Sequence, residues 1–286
     1  MAPPPLDTFL KSANADLPKG PVALIFVEDE TAVGATIRHH NRIGFQNIVL
    51  LARPDLALPE DCKAMCHHVT FDVANDVAVH DVVNQAIDAL AGRWLYYCYN
   101  AEFLHFPFCE SRSIEELITF ITEERRASAF TYVIDLYADN LEAHPLGYSL
   151  EHAHLDASGY YALTRWRNGG AADRQLSVFG GLKWRFEEHL PYAKRRIDRV
   201  ALFRAEKGLT MDEEQLLSDE ELNTYQCPWH HSVTIAICSF RTAKYLKSNP
   251  GSTFEIADFT WAMSEKFHWN SQQLMDLGLM EPGQWF

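Results

Sequence analysis

The sequence predicts an α/β protein, a mostly parallel sheet with helices on its faces. Short, continuous apolar runs recur through the first half, of the kind that suits strands buried on both sides. Stripes of helical period lie between them. The two kinds of segment alternate, which is the pattern of a parallel sheet built through helical crossovers.

Residues 1–20 are proline-rich and polar and read as a flexible arm. Val22–Val27 is the first buried strand and stops at Glu28-Asp29-Glu30. Val33, Ile37 and His40 then form a helical face that Gly44 ends. Asn47–Leu51 is the second strand, closed by Arg53-Pro54, and His68–Val73 is a short third. Val79, Val83, Ala86 and Leu90 line a helix that Gly92 stops, and Trp94–Tyr99 is an aromatic strand. Ser113 and Glu116 are spaced as a capping box before the stripe Ile114, Leu117, Ile118, Ile121. Phe130–Leu136 is a further strand.

The second half is less regular. Leu141–Tyr161 reads as a histidine-rich loop, Phe179-Gly180-Gly181 as a turn and Met211–Leu222 as an acidic helix. Asn270–Leu277 reads as a short helix capped by Gly278. No composition break marks a boundary, so the expectation is a domain over 21–245 with a C-terminal extension, 246–286. Phe259, Trp261, Phe267, Trp269, Trp285 and Phe286 would pack that extension onto the domain or onto a second subunit of a homo-oligomer.

Bulk properties narrow the function. A formal charge of −14 over 286 residues disfavours nucleic acid and anionic lipid as partners. No apolar run has the length of a membrane span, and the start, Met1-Ala-Pro-Pro-Pro-Leu6, lacks the regions of a signal peptide, so a cytoplasmic protein is expected. The six scattered cysteines fit reduced thiols. Cys62, Cys66, His67 and His68 lack the second ligand pair of a zinc finger.

Ligands of such sheets sit at the carboxyl ends of the strands. That rule selects Glu28-Asp29-Glu30 and the segment Tyr99–Glu102. The order of motifs here resembles family 2-like glycosyltransferases. In that family a strand ends in an Asn-Glu pair, at the place held here by Glu28-Asp29-Glu30, and the next helix carries a histidine and ends in Gly-Phe, as at His40 and Gly44-Phe45. WLYYCYNAEF, residues 94–103, resembles the strand ending in Asp-x-Asp-Glu-Phe. Ile134-Asp135-Leu136-Tyr137 and the group Gly180, Gly181, Arg185, Phe186 resemble two later elements. The resemblance spans about residues 20–245 by pattern rather than by identity.

The resemblance implies a Rossmann-like GT-A fold. It also implies transfer of a sugar from a nucleotide-diphosphate donor to a hydroxyl acceptor, in surface glycan or polysaccharide synthesis. Glu28, Asp29 and Glu30 would meet the base and ribose, with Asp55 taking part of the role of a missing Ser-x-Asp segment. Tyr99 would stack on the donor. The Asp-x-Asp carboxylates that hold Mn2+ or Mg2+ in the family fall on Tyr99 and Ala101 here, neither of which can hold a hard cation. Asn100 and Glu102, with His231, are the replacement ligands. Alternatively Lys183 and Arg185 neutralise the diphosphate without metal. Asp135 is the candidate general base, with a competing role in capping backbone groups.

Two further readings stay open. One is a GT-A-like domain that binds a nucleotide sugar or a partner transferase without turnover. The other is a metal-dependent hydrolase using His152, His154 and Asp156. His40, alone on an apolar helix face, reads as a core residue.

Overall fold

The computed structural model describes residues 3–73 and 78–285. The chain forms two compact units that interleave along the sequence. One is made of Met1–Phe103, Cys109–Phe130 and Val200–Asn223, the other of Leu104–Phe108, Thr131–Arg199 and Thr224–Phe286. The expected α/β class is what is observed.

The first unit contains α1 (Leu6–Asp16), β1 (Val22–Phe26), α2 (Val33–Arg42), β2 (Asn47–Ala52), β3 (His67–Thr70), α3 (Val79–Ala89), β4 (Trp94–Tyr99) and α4 (Ile114–Glu123). Its strands run in the order β3-β2-β1-β4, all parallel, followed by β11 (Asp198–Arg204), antiparallel to β4. Every residue of β1 and β2 is buried, which is why both read as unbroken apolar runs. Full burial of side chains such as Ile25 and Phe26 stabilises by about 1.5–3 kcal/mol each. Ser113 and Glu116 make the expected capping box at the start of α4, worth about 1 kcal/mol.

The first twenty residues are not an arm. Leu6, Leu10 and Ala13 recur at helical spacing along one face of α1, and that face is buried beside α3 and β3. Proline-rich flanks masked this stripe in the sequence.

The second unit holds β7 (Tyr137–Ala138), β8 (Ala153–Asp156), β9 (Tyr161–Arg167), β10 (Gly170–Phe179), α5 (Gly181–Arg185), β12 (Thr234–Ser239), α6 (Arg241–Ser248), β13 (Ser264–Lys266) and α7 (Ser271–Asp276). Strands β5 (Glu102–His105) and β6 (Ser128–Asp135) begin in the first unit's sequence and continue in the second's. The order here is β6-β12-β5, with separate small sheets β13-β8-β7 and β10-β9.

Two readings need correction. The supposed loop 141–161 contains strand β8. Residues 211–222 are turns joined by a bridge between Met211 and Leu217, ending in a 3-10 turn over Glu220–Asn223. Asp212 and Asn223 account for it, because their side chains bond backbone groups of 214, 216 and 217 and compete with helix formation. In the second unit Phe259 packs on Tyr137 and Phe186, and Trp285 on Phe106. Phe286 lies outside the described residues.

Candidate functional site

The parallel order β3-β2-β1-β4 has its reversal between β1 and β4. The chain leaves β1 in one direction along the sheet and returns on the other side. At such a switch point the loops leaving the two carboxyl ends diverge and form a crevice where ligands bind. The loops that diverge here are 27–31 after β1 and 99–102 after β4.

Asn100 joins them. It is fully buried, and its main-chain N–H donates to the Phe26 carbonyl at 2.9 Å. Its side-chain Oδ1 accepts from the Glu28 N–H at 2.9 Å, and Nδ2 donates to Asp29 Oδ1 at 2.8 Å and to the Thr31 carbonyl at 2.9 Å. Asp29 Oδ1 also accepts from the Thr31 N–H at 2.8 Å, closing a tight turn. Thr36, on the first turns of α2, accepts from the Ala101 N–H at 2.9 Å and donates to the Ala32 carbonyl at 3.0 Å. The two alanines in this knot, Ala32 and Ala101, hold left-handed backbone with φ of 57° and 60°. Such conformations cost about 1–2 kcal/mol for a residue with a Cβ and collect at ligand sites.

The knot fixes where carboxylates stand. Glu28, Asp29 and Glu30 are exposed at the end of β1, and Asp55 is exposed after β2, 3.6 Å from Arg53. Four acids therefore line the carboxyl end of the first unit's parallel strands.

Asn100 and Glu102 do not fit a metal site. Asn100 Oδ1 is committed to a backbone N–H, and Glu102 is buried with Oε2 accepting from the Tyr99 N–H at 2.9 Å. His231 belongs to the second unit, is exposed, and bridges to Gln226. Among the described residues no group of three histidine, cysteine, aspartate or glutamate side chains is placed to hold a metal ion. Tyr99 does not offer a stacking face. It is buried and packs on Phe26, with ring centroids 5.8 Å apart.

Within the second unit Asp135 ends β6 and is almost fully buried. Its Oδ2 accepts from the Lys183 N–H at 3.2 Å, so it anchors the start of α5. Burial pushes its carboxyl above the usual range, against the opposing pull of Lys183 and Thr242. Its Oδ2 thus has the backbone-capping role that competes with the role of a base. The Lys183 ammonium donates to the Arg196 carbonyl at 3.1 Å. The glycines before it are there for space: a Cβ on Gly180 would lie 2.2 Å from the Tyr160 ring, and one on Gly181 2.9 Å from Asp135 Oδ2.

Arg185 is equally committed. It pairs with Asp156 through Nε and Nη2, donates from Nη2 to the Phe259 carbonyl at 2.6 Å, and stacks within 5.5 Å of the Tyr137, Phe186 and Trp261 ring centroids. Asp156 also receives the Tyr137 hydroxyl at 2.5 Å and the Trp261 indole N–H at 2.7 Å. It is buried, and its oxygens are spent on four donors. The hydrolase set therefore fails. His152 instead faces Asp139 at 3.4 Å, and His154 turns to the His152 carbonyl at 3.1 Å.

His40 is the core residue expected. Nδ1 donates to the Thr36 carbonyl at 2.8 Å, which leaves Nε2 to accept from the Tyr96 hydroxyl at 3.3 Å.

No helix among the described residues is long and apolar enough to cross a membrane. No protein-family model and no curated protein matches the chain. Among solved structures a UDP-glucose pyrophosphorylase from acinetobacter baumanii is similar, with a TM-score of 0.37 and 10% identity, over 83% of this chain and 97% of that one.

Proposed function

We propose that the chain is a nucleotide-sugar-binding protein of glycosyltransferase type, and that its first unit holds the nucleoside end of the donor at the carboxyl ends of β1, β2 and β4. The observation that carries this reading is the Asn100 knot, which fixes two diverging loops at the switch point of a parallel sheet. The chemistry of the rim gives the orientation. Carboxylates accept hydrogen bonds from ribose hydroxyls and from base N–H groups, and they repel phosphate. Glu28, Glu30 and Asp55 therefore face the nucleoside, and the diphosphate points away from them.

Binding is favoured over turnover because the groups assigned to catalysis serve the fold: Asp135 anchors α5, Asn100 ties the loops and Arg185 is neutralised by Asp156. Transfer to a hydroxyl acceptor is the second reading. The motif order over 20–245 favours it.

Calorimetric titration with uridine, guanosine, adenosine and cytidine diphosphates, each with manganese and with chelator, tests the proposal. Saturable binding of one nucleotide in chelator, weakened at least tenfold by Glu28→Gln with Glu30→Gln, is the expected result. Absence of binding to all four in both conditions overturns it. Release of free nucleotide from the matching nucleotide sugar on adding hydroxyl acceptors would move the assignment to the second reading.

A further inference from the structure

Trp184 stands at the surface of the second unit, 39% exposed, on a foundation that holds it still. It meets the ring of Trp261 edge to face, with centroids 6.5 Å apart and planes at 63°. Trp261 is itself fixed, because its indole N–H donates to Asp156 Oδ1 at 2.7 Å and the Arg185 guanidinium lies 5.1 Å from its centroid. The main chain comes close at Gly159, where φ is 91° and a Cβ would lie 3.0 Å from Trp184 Cζ3 and 3.6 Å from Trp261 Cη2. The absent Cβ leaves a notch against both indoles.

The residue after this notch is Tyr160. Its hydroxyl is buried and has no hydrogen-bond partner among the described residues, and neither has Asp135 Oδ1. Burial, and then the Asp156 and Asp135 carboxylates, push that hydroxyl well above its ordinary range, so it stays a donor. Buried polar atoms ordinarily have partners, and ligand sites set a few such atoms beside apolar and aromatic walls.

We propose that Trp184 is the stacking face of a saccharide site in the second unit, with Gly159 and Tyr160 beside it. A pyranose ring has the two properties that this arrangement matches. The C–H groups of one face pack on the electron-rich face of an indole, and the hydroxyls at the rim both accept and donate. Tyr160 offers the donor and Asp135 Oδ1 the acceptor. A cation is a poorer occupant, because the Arg185 guanidinium already holds the Trp261 ring. A nucleobase is poorer too, because indoles that cross at 63° form no slot in which a flat base is sandwiched.

Calorimetry and saturation-transfer NMR on the full chain test the site. The probes are free di- and trisaccharides of glucose, galactose, mannose and N-acetylglucosamine and, in a second arm, the nucleotide sugars of the same four. At least one compound is expected to bind, about tenfold more weakly to Trp184→Ala and with a smaller change in Trp184→Phe, which keeps an aromatic face. Tyr160→Phe separates ligand from fold. It removes a hydroxyl without a partner, so the urea midpoint should hold or rise while saccharide affinity falls. A lowered midpoint with unchanged affinity would assign that hydroxyl to the fold and overturn its role here. Loss at Trp184→Ala with free saccharides gives the platform to a glycan, and loss confined to nucleotide sugars gives it to the ring of a donor. The first arm contains no nucleotide, so it stands apart from the nucleoside reading of the first unit. No binding in either arm overturns the proposal, and so does a Trp184→Ala protein that binds every compound as the wild type does.

Discussion

The Arg185 guanidinium lies alongside the Asp156 carboxylate, Nε 2.8 Å from Oδ2 and Nη2 3.2 Å from Oδ1, with both side chains nearly withdrawn from water. The pair ties α5 to β8, and through the Phe259 carbonyl and the Trp261 indole it ties both to the C-terminal segment. Removing one partner leaves a buried charge uncompensated, which costs about 3–5 kcal/mol. Arg185→Met is therefore expected to lose stability of that order in urea denaturation. The double variant with Asp156→Asn should recover part of the loss, with a coupling of about 0.5–3 kcal/mol. Additive losses would mean that the two groups act independently.

Asn100 makes a sharper distinction between a structural knot and a metal ligand. Asn100→Ala leaves the Glu28 N–H without its side-chain acceptor and is expected to cost about 1–3 kcal/mol. Asn100→Asp should cost more at neutral pH, because it replaces the donor facing Asp29 Oδ1 at 2.8 Å with a second carboxylate. Its deficit should shrink as pH falls into the carboxylate range and one of the two acids takes a proton. Thermal melts of the three proteins from pH 4 to pH 8 measure this. A substitution to aspartate that stabilises the protein at pH 7 in chelator would contradict the knot.

Asp135 carries a pH signature. Its folded-state carboxyl is raised by burial, so the native state holds its proton more tightly than the unfolded chain does. The resulting contribution is fully present below the unfolded value of about 3.9. It is lost as pH rises through the folded value. Asp135→Asn keeps an acceptor for the Lys183 N–H without a charge to bury. The variant is expected to equal or exceed the wild type in stability at pH 7 and to lose the decline that the wild type shows above pH 4. Urea midpoints across that range decide the matter. A variant that is less stable than the wild type at pH 7 would place a needed charge at this position.

Gly181 has φ of 63° and no room for a Cβ beside Asp135. Gly181→Ala is expected to cost at least the 1–2 kcal/mol of left-handed backbone. Combining it with Asp135→Ala, which removes the obstructing carboxyl, should be less damaging than the sum of the two. Urea denaturation of the four proteins supplies the cycle.

Much of this protein was determined by local sequence. The apolar runs of β1, β2 and β4, the helical stripes of α2 and α3 and the Ser113–Glu116 box each specify their element through side chains close along the chain, because burial and capping are short-range demands. The acidic ends of β1 and β2 follow from the same reading, since a buried strand must stop where carboxylates begin. The partners of Asn100, Asp135, Arg185 and Asp156 were decided only by the tertiary structure. An isolated asparagine or aspartate at a strand end reads the same whether it faces a ligand or a backbone amide. The difference lies in which N–H groups arrive from segments 72, 48 and 29 residues away.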